Sequence, residues 1–597
     1  MGEKQQNTKK SVSGKAFDWT VLSKVILYAR PYKWQTIISL FLSVVLGLLT
    51  TARPILIRNG VDYAIVEGGD LVSLWYAMAI LFSALLIEAI GQFVFIYFTN
   101  DLGARVIKDI RIKLFDHLLD FRIPFFDKTP IGTLVTRTVS DVETMAEIFS
   151  NGILVIFGDL FKIVVMITTM FIIFDSSLVA ICLSVIPLLF IATRWFQQNI
   201  KLVFTDVRNQ VAALNSFVQE RISGMSVVQL FTRENTESKR FKKINAKHRD
   251  ANIRGIWYFS LFLPIIDMLS SFSIALAIWF GGLKASMGGD VSLGDLTALI
   301  VFINLLYRPL RQLADRFNTL QMGMVASERV LKLVNDTDEK EISGKYHQNR
   351  VSGDVKIENL SFAYSKKEWI LKDVNVKISS GQTCALVGAT GSGKSTLVHL
   401  LLGYYQYQKG SILLDGMDLK KWSLNSLRKN VSLVQQDVFL FSDSVRNNVT
   451  VYRDFKDEDI WKAAEDMGIK DFISSLPGAL DYDVKERGGM LSTGQRQLLA
   501  FLRAYLNNPS FLVLDEATSS IDSQAEKWIQ RATQTLTKGR TSIVVAHRLA
   551  TVVNADHIIV LDKGKIVEEG THKSLLKRSG YYQNLFNKQF FDSQDSI

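Results

Sequence analysis

Six apolar stretches, each close to the ~20 residues a helix needs to cross a hydrocarbon core, interrupt an otherwise charged chain. The first runs from Trp34 to Leu49 or a little beyond and ends near Arg53-Pro54. The second runs from Leu71 to about Phe98. Ile153 to Phe174 and Ser177 to about Ile191 form a pair with only Asp175-Ser176 between them. Ile256 to Leu283 and Leu293 to about Tyr307 form the last pair. Ahead of them, Phe17, Val21, Leu22, Val25 and Ile26 share one helical face with Lys24 away from it. This predicts an amphipathic helix on the membrane surface before Pro31. Residues 100–151 and 194–254 keep helical periodicity with fewer apolar positions. They predict helices that continue beyond the bilayer and turn near Pro124-Phe125-Phe126-Asp127 and near Ser223-Gly224-Met225.

The basic residues orient these spans. Lys4, Lys9, Lys10, Lys15, Lys24, Arg30 and Lys33 precede the first span against Glu3 and Asp18. Asp62, Glu67 and Asp70 follow it against Arg58. The Lys and Arg excess places the N-terminus and both long polar segments in the cytoplasm. The first dozen residues are polar and show no secretory signal. Ionisable groups inside a membrane are costly, so Glu88 and Asp267 are candidates for a substrate path. Asp159 and Lys162 are candidates as well, and a mutual pair one helical turn apart is their other reading.

Composition fits a membrane part joined to a soluble part: 48% of the 597 residues are apolar, yet 21% are charged. The two cysteines, Cys182 and Cys384, both lie in apolar runs, which predicts buried thiols and no disulfide framework. The net charge of +11 is accounted for by basic cytoplasmic loops. No basic stripe interleaved with aromatics supports a nucleic-acid partner.

The character of the chain changes near Asn335, where Asp336-Thr337-Asp338-Glu339-Lys340-Glu341 reads as a linker. Beyond it, Gly388-Ala389-Thr390-Gly391-Ser392-Gly393-Lys394-Ser395-Thr396 fits the phosphate-binding loop. Glycines let backbone amides wrap a polyphosphate, Lys394 adds positive charge for the β- and γ-phosphates, and the Ser395 hydroxyl suits Mg²⁺. A buried strand, Thr383-Cys384-Ala385-Leu386-Val387, precedes the loop and a helix follows it. Phe511-Leu512-Val513-Leu514-Asp515-Glu516 is a second buried strand ending in two carboxylates. Thr541 to His547 is a third with a polar end. Strands alternating with helices predict a parallel sheet with its ligand at the strand C-termini.

Between the loop and Asp515 lies Leu491-Ser492-Thr493-Gly494-Gln495-Arg496-Gln497, which resembles the LSGGQ signature of ATP-binding cassette (ABC) proteins. Gln436-Asp437 with Phe439-Leu440-Phe441 is similar to the family's Q-loop, and Glu486-Arg487-Gly488 to the exporter X-loop. Ser520-Ile521-Asp522 is similar to the D-loop and His547 to the switch histidine. Tyr364 stands where the family stacks adenine on an aromatic ring. In the membrane part Phe125-Phe126-Asp127, Gly132, Arg137 and Asp141, and Gln219-Glu220 with Ser223-Gly224, also match. Nearly the whole chain resembles a half-size ABC exporter.

The resemblance implies an α-helical membrane domain of six transmembrane helices with long cytoplasmic extensions, joined to an α/β P-loop ATPase with a mixed sheet and a helical subdomain. The expected boundaries are 1–33 for the tail and interfacial helix, 34–335 for the transmembrane domain and 336–354 for the linker. The nucleotide-binding domain spans 355–590 and a C-terminal tail 591–597. ATP and Mg²⁺ are the expected ligands. By the family pattern, Lys394 and the loop amides hold phosphate, and Ser395, Gln436 and Asp515 serve the metal. Glu516 polarises water and His547 meets the γ-phosphate. Ser492, Thr493, Gly494 and Gln495 act on the nucleotide of a second subunit. One cassette and six spans therefore imply a dimer in a cell membrane, of bacterial plasma or inner type.

Thr493 departs from the family's glycine, while Glu516 is intact. In the family that combination accompanies pairing with a different subunit whose glutamate is missing, so a heterodimer is favoured over a homodimer. The expected cargo is a hydrophobic or amphipathic small molecule, drug-like or lipid. Export of peptide or another metabolite, or a slow ATPase with a regulatory or sensing role, is the alternative. The apolar spans exclude a soluble ABC ATPase, and the fused membrane part argues against an importer. The chain starts too late for an N-terminal protease domain.

Overall fold

The computed structural model describes residues 19–63, 69–288, 291–337, 339–365, 368–515, 523–546, 549–578 and 580–587, with backbone alone at 313–315, 523–525 and 549–550. The chain divides into two compact units. One holds the residues up to 119 and 130–337; the other holds 120–129 and everything from 338 onward.

The first unit is helical. A short helix α1 (Trp19–Leu27) buries Leu22 and Val25 and exposes Trp19 and Leu27. The long helices that follow are α2 (Lys33–Val61) and α3 (Leu71–Leu119). Next comes a helix in three parts, α5 (Ile131–Thr136), α6 (Val142–Glu147) and α7 (Ile153–Ile173). π-Helical turns at Arg137–Asp141 and Ile148–Gly152 join the parts. The rest are α8 (Ser176–Leu183), α9 (Ile186–Ser223), α10 (Met225–Leu230), α11 (Glu234–Ser286) and α12 (Leu293–Val334). The number α4 belongs to Ile123–Lys128, in the second unit.

Among the described residues, six helices are long and apolar enough to cross a membrane. The 49 residues of α3 rise ~1.5 Å each and span roughly 75 Å, more than twice a ~30 Å hydrocarbon core. The expected cytoplasmic extensions are therefore continuous with the spans. In α3 the extension supplies the buried face, with Leu102, Val106, Ile110, Leu114 and Leu118 at four-residue spacing. Trp75, Phe82 and Phe93 of its apolar half are exposed. The first span does not stop near Arg53-Pro54. Pro54 is buried inside α2, which continues to Val61. A proline removes one backbone donor, and packing against neighbouring helices lets a membrane helix carry that loss.

The second unit contains two sheets. β1 (Val355–Phe362), β2 (Leu371–Ile378), β4 (Lys409–Leu414) and β5 (Met417–Asp418) form an antiparallel sheet in the order β2-β1-β4-β5. The larger sheet has the order β10-β9-β3-β8-β7-β6. It is built from β3 (Thr383–Val387), β6 (Val431–Val434), β7 (Phe511–Asp515), β8 (Thr541–Val545), β9 (His557–Asp562) and β10 (Lys565–Gly570). β6, β7, β8, β3 and β9 run parallel, and β10 turns back against β9. Between β6 and β7 a cluster of helices packs its own apolar core, with Val445, Ile460, Phe472, Leu498 and Phe501 inside. Cys182 and Cys384 are buried free thiols, and burial raises the Cys384 thiol well above its usual range.

The expected linker is laced into this unit rather than loose. The Glu341 amide donates to the Asp120 carbonyl and the Arg122 amide to that of Glu339, both at 2.9 Å, and the Arg122 side chain pairs with Glu339 at 2.8 Å. Gly344 and Tyr346 donate to the carbonyls of Trp422 and Lys421. The amides of Ser352, Gly353 and Asp354 all reach the Asp415 carboxylate. The charges of 336–341, read as a linker from sequence, are in part committed to partners, because Glu341 also pairs with Arg428. Residues 120–129, expected within the transmembrane domain, belong to the same compact unit.

Candidate functional site

The phosphate loop joins β3 to helix α13 (Lys394–Leu401). Two glycines are dictated by space and backbone. A Cβ on Gly388 would lie 2.2 Å from the Leu561 carbonyl oxygen. Gly393 has φ +108°, and a Cβ there would meet Leu371 at 2.8 Å. Gly393 caps α13 without a side-chain hydrogen bond, so the first-turn amides of the helix have no capping acceptor. The Ser392 hydroxyl is buried with no hydrogen-bond partner among the described residues. The ammonium of Lys394 donates to the carbonyls of Gly388 and Ala389 at 2.8 and 3.0 Å. Burial lowers its pKa, and the Asp515 carboxylate opposes that shift. A cradle closed to a Cβ, uncapped helix amides, a spare buried hydroxyl and one cation together fit a polyphosphate.

Strand register brings the remaining groups to the same edge of the sheet. Leu386 pairs with Val545, Val545 with Asp515, and Leu514 with Val434, all in parallel register. The carboxyl ends of β3, β8, β7 and β6 therefore lie side by side, where a parallel sheet places its ligand. Asp515 ends β7, and Gln436 follows β6 with an exposed side chain. Glu516, His547 and the run Ser520-Ile521-Asp522 lie outside the described residues.

Tyr364 is 45% exposed and gives its hydroxyl to Thr396 Oγ1 at 3.2 Å, on the first turn of α13. A flat aromatic face is thus tied beside the phosphate loop. That hydrogen bond is not visible in sequence, where 32 residues separate the partners.

The signature opens the helix Thr493–Leu506. Ser492 is its N-cap: its hydroxyl accepts from the Gln495 amide at 3.2 Å, and the Gln495 side chain accepts from the Ser492 amide at 2.9 Å. Thr493 is exposed and its hydroxyl accepts from Arg496 Nη2 at 3.1 Å, while Gly494 is buried. Upstream, Lys485, Arg487 and Gly488 all have positive φ, a strained approach of the kind that functional loops retain.

In the helical unit, Glu88 and Asp159 line one cavity of about 570 Å³, together with Arg53, Lys162, Arg308 and Arg316. Glu88 accepts from Thr50 Oγ1 at 2.9 Å, with Arg53 3.8 Å away. Asp159 does not pair with Lys162. It meets Arg316 at 2.9 Å, as the long guanidinium side chain reaches across from α12. Asp267 is not in this cavity. It pairs with Arg311 beside a second hollow that includes Asn304 and Tyr307, and Arg308 borders both. The three arginines were not singled out from sequence, since Arg308 and Arg316 follow the last apolar run and Arg53 stands at the end of the first.

A bundle of spanning helices carrying a P-loop sheet defines a membrane ATPase that works on something in or across the bilayer. Two family models match in order: the ABC transporter transmembrane region over residues 36–310 and the ABC transporter model over 371–519. The chain is 33% identical over 580 residues to the uncharacterized ABC transporter ATP-binding protein YknV of Bacillus subtilis (strain 168), covering 96% of each chain. It is 33% identical over 579 residues to an ATP-dependent lipid A-core flippase of Syntrophus aciditrophicus (strain SB), covering 96% of this chain and 94% of that one. A flippase of the same name from Nitrosococcus oceani is 32% identical over 580 residues, with 97% and 96% covered. The chain belongs to the ABC transporter family, as a half-size exporter whose membrane and ATPase parts share one polypeptide. It is a multi-pass cell-membrane protein with a cytoplasmic ATPase domain, and it couples ATP hydrolysis to export.

Proposed function

We propose that this half-transporter exports amphipathic molecules that combine an apolar body with a net anionic head. The cavity of the helical unit carries the reading. Leu46, Leu85, Phe95 and Val155 supply apolar wall, and the charged lining is Arg53, Lys162, Arg308 and Arg316 against Glu88 and Asp159. Two of the cations face a carboxylate, Arg316 at Asp159 and Arg53 near Glu88. Lys162 and Arg308 have no ion pair among the described residues, and they leave the lining positive. Lys162 lies within the third apolar run, where a cation without an ion pair costs solvation energy that an anionic cargo would return. Relatives named lipid A-core flippases point to a lipid.

ATP would lie with its phosphates on the loop amides and Lys394 and its base on Tyr364. Mg²⁺ takes few protein ligands and keeps waters and phosphate oxygens, so the Ser395 hydroxyl, Gln436 and the nearby Asp515 suffice as a donor set. Glu516 orients the attacking water and His547 meets the γ-phosphate. Stabilising charge on the transferred phosphoryl group is the main task of these residues. Ser492, Thr493, Gly494 and Gln495 complete the site of a partner subunit, and the bulk of Thr493 favours a different chain as that partner.

Flux decides the cargo. Reconstituted with its partner in liposomes, the transporter moves fluorescent phosphatidylglycerol faster than fluorescent phosphatidylcholine in the presence of ATP. Arg308→Ala with Lys162→Ala removes that preference. Equal flux of the two lipids, or a preference that survives the double substitution, overturns the anionic reading. ATP hydrolysis with no flux of either lipid favours the regulatory alternative.

A further inference from the structure

Helix α4 (Ile123–Lys128) carries Asp127, and the Tyr405 hydroxyl donates to its carboxylate. The Tyr405 ring belongs to an aromatic cluster behind the base-stacking tyrosine. It stands edge-on to Tyr364 with centroids 4.9 Å apart at 88°, and edge-on to Phe362 at 5.8 Å. It lies nearly parallel to His399 at 6.2 Å, a residue of α13. Tyr364 is also edge-on to Phe362 at 4.9 Å, and its own hydroxyl reaches Thr396. One cluster therefore touches the phosphate-loop helix at one end and α4 at the other.

The rest of the 120–129 segment is fastened differently. Arg122 and Asp120 are bound to the strap at 339–341 by backbone hydrogen bonds and ion pairs rather than to the tyrosine hydroxyls. Asp127 is held at the opposite end of α4. A cavity of about 180 Å³ bounded by Arg122, Lys128, Tyr364 and Tyr405 gives the rings room to shift. Burial, then the Asp127 carboxylate, raises the Tyr405 pKa, so the hydroxyl keeps its proton and stays a donor.

We propose that Tyr405 is a positioning residue that reports a nucleotide base on Tyr364 to α4 through its hydroxyl bond to Asp127. A base lying on Tyr364 fixes that ring. Edge-to-face packing favours one arrangement of the two tyrosines, so Tyr405 follows, and its hydroxyl settles the C-terminal end of α4. The phosphate loop meets the cluster only at its margin, through Thr396 and His399, whereas a base would lie on the Tyr364 ring itself. The inference rests on the reading of Tyr364 as the base platform.

Hydrogen exchange of residues 120–129 in the full-length transporter in nanodiscs tests it. The probes are the non-hydrolysable analogue adenylyl imidodiphosphate and, as a ligand without a base, tripolyphosphate. The analogue slows exchange in this segment several-fold and tripolyphosphate does not. Tyr405→Phe keeps the ring and removes the hydroxyl, and Asp127→Ala removes the acceptor. Each abolishes the analogue's effect on 120–129 and leaves its affinity within about twofold, since neither residue touches phosphate. A purely structural anchor would raise exchange in the absence of nucleotide and would not distinguish the two probes. An undiminished response in both variants, or equal slowing by tripolyphosphate, overturns the proposal. An analogue affinity unchanged by Tyr364→Ala overturns the base platform itself, whatever the variants at 405 and 127 do.

Discussion

Arg503, three turns into the signature helix, donates to the carbonyl oxygen of Phe439 with both terminal nitrogens, each at 3.3 Å. Its Nε donates to the Asn448 carbonyl at 2.9 Å. Phe439 follows the Q-loop glutamine by three residues, so one half-buried guanidinium ties the signature helix to the segment after Gln436. Burial lowers the Arg503 pKa, although a guanidinium remains charged throughout the working range.

Arg503→Lys keeps the charge and loses the fork, since one ammonium cannot serve two separated carbonyls. The expected cost is ~1 kcal/mol, the net worth of a part-buried hydrogen bond, since water can replace the donor at the exposed Phe439 carbonyl. Thermal unfolding followed by tryptophan fluorescence should show a lower midpoint, and Arg503→Met a lower one still. A midpoint unchanged in both variants would show that the carbonyls find other donors.

Gly388→Ala should abolish nucleotide binding, because the added carbon would lie 2.2 Å from the Leu561 carbonyl and the loop must shift. Gly416→Ala is the control. That glycine has φ +77° with nothing within 4 Å of a Cβ, so it carries only backbone strain of ~1 kcal/mol and leaves binding intact. Titration with a fluorescent ATP analogue separates the two; comparable affinities would show that the loop yields easily.

Glu516→Gln should slow hydrolysis by about a hundredfold or more while nucleotide still binds, since it removes the carboxylate that orients water and keeps the phosphate cradle. Lys394→Ala should weaken binding itself. Steady-state phosphate release and equilibrium binding on the same preparations distinguish the effects. Hydrolysis by the glutamine variant near the wild-type rate would remove Glu516 from its assigned role.

Local pattern made much of this chain legible. The six spans, the phosphate loop and the signature at Ser492 to Gln495 are each carried by residues a few positions apart, and periodicity or spacing exposes them. What escaped depends on long-range pairing. Asp159 meets Arg316 across 157 positions (316 − 159) rather than Lys162 on the next turn. The 339–354 strap read as a linker because its acceptors, among them Asp120 and Asp415, lie elsewhere in the chain. Pro54 reads as a stop by local rules, yet its helix continues to Val61 because packing in the bundle overrides propensity. The Tyr405 to Asp127 bond spans 278 positions, and neither residue carries a motif that would single it out together with the other.

Thr493 bears on the partner. It is the first residue of the signature helix, exposed, with its hydroxyl held by Arg496 Nη2. Replacement by glycine removes a β-branched side chain and releases Arg496. The Ser492 cap and buried Gly494 stay in place, so the signature amides remain available. If the side chain costs ~1.4 kcal/mol of contact with a nucleotide's transition state, the site it completes runs about tenfold slower. In the proposed heterodimer that site already lacks its glutamate on the partner chain, so Thr493→Gly should change total ATP turnover by less than about twofold. In a homodimer both sites carry the threonine and turnover should rise several-fold. Mass measurement of the purified complex sets the subunit composition, and steady-state ATPase of wild type and Thr493→Gly then decides the role of the residue. A several-fold gain in a complex proven to contain two different chains would sink the asymmetric-site reading.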